Sequence, residues 1–131
     1  MTTTEHDDAR AALTEEFTLL TGDRVAGRAG YTGAAAMSPL SRWVRDGRIF
    51  AVPVGVGVRY PDFQFSAVGG PRPGVAAIIE AAGGVVTGWD LALWFTTPND
   101  ELGGRRPVDL LDGPDQCLAA PTMALLAASL S

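Results

Sequence analysis

Lysine is absent from this 131-residue chain, cysteine and histidine occur once each (Cys117 and His6), and no apolar run reaches the roughly 18 residues of a membrane span. A single cysteine closes no internal disulfide, which fits a reducing compartment. No spacing of His, Cys or acidic residues suggests a metal site. His6 stands in a polar, acidic stretch, and Cys117 has no histidine near it to act as an activating base. The first eight residues lack the apolar core of a signal peptide, so the cytoplasm is the expected location.

Phosphate-loop and acid–base chemistry are equally poorly served. Gly55-Val56-Gly57 is too short for a phosphate loop and lacks the following helix and lysine. Asp109, Asp112 and Asp115 read as acids favoured by the dipole at a helix start. Nothing assembles into nucleophile, base and orienting group, so neither catalysis nor a cofactor is expected.

What is present is an ordinary folding chain with an uneven charge. Apolar residues make up 47%, which argues against wholesale disorder. Net charge is −5, but it is distributed in blocks. Residues 1–23 hold six acids and one arginine, residues 24–59 six arginines and one acid, and residues 60–131 eight acids and three arginines. The middle block is a local basic surface of the kind phosphate contact requires.

Periodicity and punctuation divide the chain into short elements. Residues 1–8 read as a frayed tail, and Ala12, Leu13, Phe17, Leu19 and Leu20 as one face of a helix over 9–20. Thr21 is placed to cap a helix over 23–29 that stops at Gly30. Ser38-Pro39 signals a further helix over 39–45 that ends at Gly47. Residues 48–54 and 58–60 read as a hairpin turning at 55–57, with Pro53 suited to an edge. Phe63 and Phe65, two apart, are expected to anchor an extended segment. The glycine- and proline-rich stretch at 69–74 is the clearest internal break. Helices follow over 75–82, 88–96 (capped by Thr87) and 107–111, then an alanine- and leucine-rich tail over 114–130 kinked or restarted at Pro121.

The expected fold is therefore mainly α with a small β-hairpin. A disordered tail (1–8) precedes a winged helix-turn-helix-like part (9–66). A linker (67–74) then leads to a small helical domain (75–131). In the first part, Leu40, Trp43, Gly47 and the strand after Arg48 resemble the start of MerR- or excisionase-type DNA-binding domains. Leu40 and Trp43 are expected inward, with Ser41, Arg42 and Arg45 outward. Arg48 and Arg59 are expected at the ends of the hairpin, near flanking phosphates. The bland alternative is a solvated arginine face, or one that docks on the acidic remainder of the chain.

The second part carries the most particular motif, W-x3-P-N-x2-L-G-x2-P-x-D-L-L, from Trp94 through Pro98, Asn99, Leu102, Gly103, Pro107 and Asp109 to Leu111. It resembles the C-terminal domain of Xre/MbcA/ParS-type antitoxins over roughly residues 73–120. The resemblance implies a RES-domain, NAD-degrading toxin as partner, a homodimer or toxin–antitoxin hetero-oligomer, possible operator DNA, and no membrane. The expected toxin-binding residues are Trp94, Asn99, Leu102, Arg105, Arg106, Cys117, Met123 and Leu126. A helix–turn–helix packed on itself accounts equally for Trp94, Leu102, Pro107, Leu110 and Leu111 as core. The tail's many leucines exceed what so small a body can bury, so removing everything after Gly113 is expected to spare folding and abolish neutralisation. The competing reading is a free-standing DNA-binding regulator whose C-terminal domain only dimerises.

Overall fold

The computed structural model describes residues 2–31, 37–111 and 119–130. Its elements, in chain order, are α1 (Thr2–Glu16), β1 (Leu19–Leu20), α2 (Gly22–Arg28), α3 (Met37–Arg45), β2 (Val52–Val54), β3 (Gly57–Pro61), α4 (Pro73–Ala82), α5 (Gly88–Thr96) and α6 (Ala119–Leu130). Short 3-10 turns lie at Asp62–Gln64, Asp100–Leu102 and Pro107–Leu110. The fold is mainly helical with one small antiparallel sheet, in the order β1-β3-β2.

The N-terminal helix departs from its expected limits at both ends. Helical backbone reaches back to Thr2 through the residues read as a tail. Leu13 is buried and Phe17 packs on the core just beyond the helix, so the helix is anchored. Each residue added upstream then gains a hydrogen bond without new nucleation cost. At the other end the helix stops at Glu16, and Leu19 and Leu20 form β1 instead of a helical face. They pair opposite Pro61 and Tyr60, and the Asp62 N–H donates to the Thr18 carbonyl at 2.9 Å. Strand alternation sends Leu19 and Leu20 into two different apolar clusters, which a helical stripe would not.

Elsewhere the punctuation works as read. Thr21 caps α2, its hydroxyl accepting from the Arg24 N–H at 3.4 Å. Gly47 ends α3 in the left-handed region (φ 71°), where the Arg48 N–H reaches the Trp43 carbonyl and the Gly47 N–H that of Val44. That pair of bonds is a Schellman cap, and glycine adopts its φ without a Cβ penalty. α3 itself starts at Met37, ahead of the expected Ser38 cap, with Pro39 still in the first turn, where its missing N–H costs nothing. α5 begins after Thr87 as expected, although the Thr87 hydroxyl makes no capping hydrogen bond. Pro53 sits on β2, an edge of the sheet. Pro121 falls within the first turn of α6, so it introduces no kink there.

Two apolar clusters hold these elements together. The larger joins Leu13, Phe50, Val52 and Phe63 to Ile78, Phe95, Leu110 and Met123 of the C-terminal elements. The rings of Phe50 and Phe95 stack (5.7 Å, 4° between planes), and Phe63 lies tilted at 5.2 Å from Phe95. The smaller cluster gathers Leu20, Val25, Leu40, Ile49, Tyr60 and Phe65, with Trp43 against it. Burial pushes the Tyr60 phenol pKa up. Phe63 and Phe65 thus do not anchor one extended segment. Phe63 lies in a 3-10 turn, and the two rings enter different clusters.

Between those clusters lies Gln64, the buried polar side chain among the described residues. Its Oε1 accepts the Phe50 N–H at 2.7 Å, and its Nε2 donates to the Phe50 carbonyl at 2.9 Å and the Pro61 carbonyl at 3.1 Å. The amide supplies a strand-like partner to Phe50, the residue entering β2, where the sheet offers none. A second tight approach lies at Gly69, where a Cβ would stand 2.3 Å from the Arg28 carbonyl oxygen. Only glycine lets this loop lie against the end of α2.

α6 packs on α4, and its Met123 is fully buried, with Ala119 and Ala127 beside it. Removing everything after Gly113 therefore strips a helix from the core, which corrects the expectation that such a truncation leaves the fold intact.

Gln64→Ala leaves a buried N–H and two carbonyls without partners and is expected to cost about 3 kcal/mol, since each orphaned buried group costs on the order of 1–3 kcal/mol. Urea unfolding of the full chain measures it; a change under about 0.5 kcal/mol, the range of a neutral surface substitution, would show that water replaces the amide.

Candidate partner-binding face

After α5 the chain makes a compact loop closed on itself. The Asn99 N–H donates to the Arg105 carbonyl at 3.1 Å, and the Gly104 N–H to the Asn99 carbonyl at 2.9 Å. The Asn99 side chain accepts the Glu101 N–H at 2.9 Å, which caps the 3-10 turn Asp100–Leu102. Leu102 points inward and is buried, the hydrophobic pin of the loop. Arg105 is exposed, with its Nε donating to the Leu102 carbonyl at 2.9 Å.

Arg106 is committed within the chain. Its Nη1 and Nη2 meet the two Glu16 carboxylate oxygens at 2.8 Å each, and its Nε and Nη2 meet Asp109 at 3.0 and 3.2 Å. This two-pronged geometry is the strong form of an ion pair. The hydrogen bond from Arg106 holds the Glu16 carboxyl below its ordinary value, and the two acids raise the Arg106 pKa. Asp109, three residues from Arg106, is close enough in the sequence for the partnership to be legible. Glu16, ninety residues away, is not.

Beside the loop, α5 and α6 enclose an apolar groove of about 310 Å³. Val85, Leu93, Trp94, Leu126 and Leu130 line it, with Asp90 the charged residue of its wall. Trp94 is half-buried, its ring edge-on to Phe95 at 5.7 Å, while Leu130 remains 60% exposed. Of the residues expected to meet a partner, Trp94 and Leu126 come together here. Asn99 and Arg105 lie on the closed loop. Leu102 and Met123 are in the core, because the loop and α6 need them as anchors. Cys117 lies outside the described residues. The groove also contains Asp90 and Leu130. Leu130 was readable as surplus tail hydrophobicity; Asp90 gave no signal beyond a helix-start acid.

Residues 85–118 match the family model of the antitoxin Xre/MbcA/ParS C-terminal toxin-binding domain. No curated protein and no solved structure matches the chain. The matched segment begins at the first groove residue, Val85, and takes in all of α5, the closed loop and the turn Pro107–Leu110. It does not extend to the N-terminal half.

The other indole of α5, Trp89, faces away from the groove. Its Nε1 donates to the Pro53 carbonyl at 2.9 Å, and the Arg10 guanidinium lies 4.9 Å over its ring. Trp89 thus ties the matched segment to β2 and α1. In the N-terminal half, Ser41, Arg42, Arg45 and Arg48 are all exposed on or just after α3. Arg45 makes a solvent-exposed contact to its neighbour Asp46 at 3.3 Å. Arg59 is half-buried on β3, its Nη1 on the Val58 carbonyl. The tip of the hairpin is apolar, with Val54, Val56 and Val58 exposed. Among the described residues no group of His, Cys, Asp or Glu could hold a metal, and no described helix is long and apolar enough to cross a membrane.

Because the folded pKa of Glu16 is depressed, its pairing with Arg106 contributes stability above the unfolded value of 4.5 and loses it as pH falls through the folded value. The stability gap between wild type and Arg106→Gln is expected to be constant above about pH 5.5, a unit clear of that titration, and to shrink below pH 4.5. Chemical unfolding across pH 3–7 measures the gap; one that is flat with pH would mean the contact is solvent-screened to nothing.

Proposed function

We propose that the chain is a cytoplasmic antitoxin that binds and neutralises a RES-domain, NAD-degrading toxin, and that it works by covering protein surface and not by catalysis. The observation that carries this reading is the coincidence of the toxin-binding-domain segment with an exposed apolar groove and a rigid, hydrogen-bonded loop. Exposed apolar surface next to polar rims is the common mark of an interaction site. Trp94, Leu126, Asn99 and Arg105 are the residues we assign to the contact. Arg106 is assigned to holding the loop against α1.

Expression of the adjacent gene alone is expected to arrest growth and deplete cellular NAD, and co-expression with this chain to restore both and yield a complex that co-purifies. Unchanged NAD together with no complex would leave the matched segment as a packing module.

A second role, operator binding, is supported by one specific observation. The chain order α1-β1-α2-α3-β2-β3, with β1 paired beside β3, agrees with the element order expected of a winged helix-turn-helix, and this supports the reading. α3 then stands where a recognition helix would, presenting Ser41, Arg42 and Arg45, with Arg48 following. The valine-rich hairpin tip, with Arg59 turned back onto the Val58 carbonyl, makes the wing a poor phosphate contact, so α3 and Arg48 carry this reading. In that role the antitoxin represses its own operon, as a dimer or within a toxin–antitoxin assembly.

Arg42→Glu combined with Arg45→Glu is expected to abolish retention of the chain's own promoter DNA in a gel-shift assay while toxin binding persists. Loss of both activities would place those arginines at the toxin or in the fold.

A further inference from the structure

We propose that the groove between α5 and α6 receives a helix of the toxin, one with an apolar stripe flanked by lysine or arginine; this rests on the antitoxin reading above. Three observations select that occupant. The first is the walls themselves. They are mainly the helices α5 and α6, completed by Val85, Val86 and Thr97 at the ends of α5, and no strand borders the groove. With no strand edge to pair with, an occupant that satisfies its own main chain is favoured, as a helix does and an extended peptide does not.

Charge is the second. Residues 83–104 contain Asp90, Asp100 and Glu101 and no basic residue, and residues 119–130 contain no charge at all. Asp90 is in the groove wall, and Asp100 and Glu101 are exposed on the loop that follows α5. Arg105, exposed on the same loop, offsets one of these three acids, so the face is apolar with a border that is acidic on balance, and its complement is apolar with a basic one. A second copy is disfavoured by the same count. In a two-fold dimer the patch meets itself, which would set Asp90, Asp100 and Glu101 against their own kind.

Continuity is the third. Val85, Asp90, Leu93 and Trp94 all fall inside the toxin-binding-domain segment, and Leu126 and Leu130 close the groove from α6. The groove is thus a site the matched segment builds with help from a helix outside it.

The test uses the purified full chain and the purified product of the adjacent gene, titrated in a calorimeter. Leu130→Glu is expected to weaken binding about tenfold or more, as loss of a central apolar anchor does. Asp90→Lys is expected to weaken it about fivefold at low salt, with the difference shrinking as salt rises. Leu125→Glu, on the same helix but outside the groove, is expected to leave Kd within about twofold, since contacts outside a hot spot are near neutral. Circular-dichroism melts of the three variants should match wild type. A wild-type complex that both groove variants bind equally well would overturn the groove assignment and leave the antitoxin reading standing. No wild-type complex at all would overturn both. A chain that is dimeric alone and becomes monomeric on Leu130→Glu would give the groove to a second copy and overturn the proposal.

Discussion

The amide of Gln64, bonded at once to both backbone groups of Phe50 and to the Pro61 carbonyl, is the constraint on which the arrangement depends. It fixes the chain where β2 begins against the chain where β3 has just ended. Phe50 is then held with its ring stacked on Phe95, and Phe63, next to Gln64, leans on the same ring. A polar group inside an apolar core is costly unless every partner is supplied, and here three good bonds supply them. The position of α5, and so of one wall of the groove, follows from that contact between Phe50 and Phe95.

A second tie runs through the surface. Arg106 joins Glu16 at the end of α1 to Asp109 in the turn Pro107–Leu110, and Trp89 joins Arg10 of α1 to Pro53 of β2. α1 is thereby braced against both ends of the matched segment. The bracing contacts are partly exposed and individually modest. Their role is to set the relation between a helix packed by Leu13 and a loop pinned by Leu102, both of which owe their energy to burial.

The elements that the sequence announced are those with strong local signals. Gly47 after Arg45 and Thr87 before α5 are positional cues that tertiary packing did not override. α4 starts at Pro73, inside the stretch read as a break, because proline suits the first helical position. Pro53 reported an edge strand because a missing N–H is a local fact. What stayed hidden was non-local. Leu19-Leu20 is too short to show a period, and its strand character comes from Tyr60 and Pro61, forty residues on. Gln64 has the composition of a surface residue, and only Phe50 makes it a core one. At the candidate site, Trp94 was legible through the motif and Leu126 as apolar surplus of the tail. The core alternative for Leu102 was open in the sequence and is the one the structure takes, whereas the burial of Met123 was not legible, because inward and outward side chains look alike in a short apolar helix.

The loop from Asn99 to Arg105 has one more consequence. Its backbone bonds run from Asn99 to Arg105 and back through Gly104, and a side-chain cap holds the turn between them. Its conformational entropy has already been surrendered in folding. A protein that docks on it therefore meets a rigid template and loses little further freedom in this stretch of chain. Encounter needs no slow rearrangement here, so affinity at this edge of the face is tuned through the lifetime of the complex, set by side chains, and not through the rate of its formation.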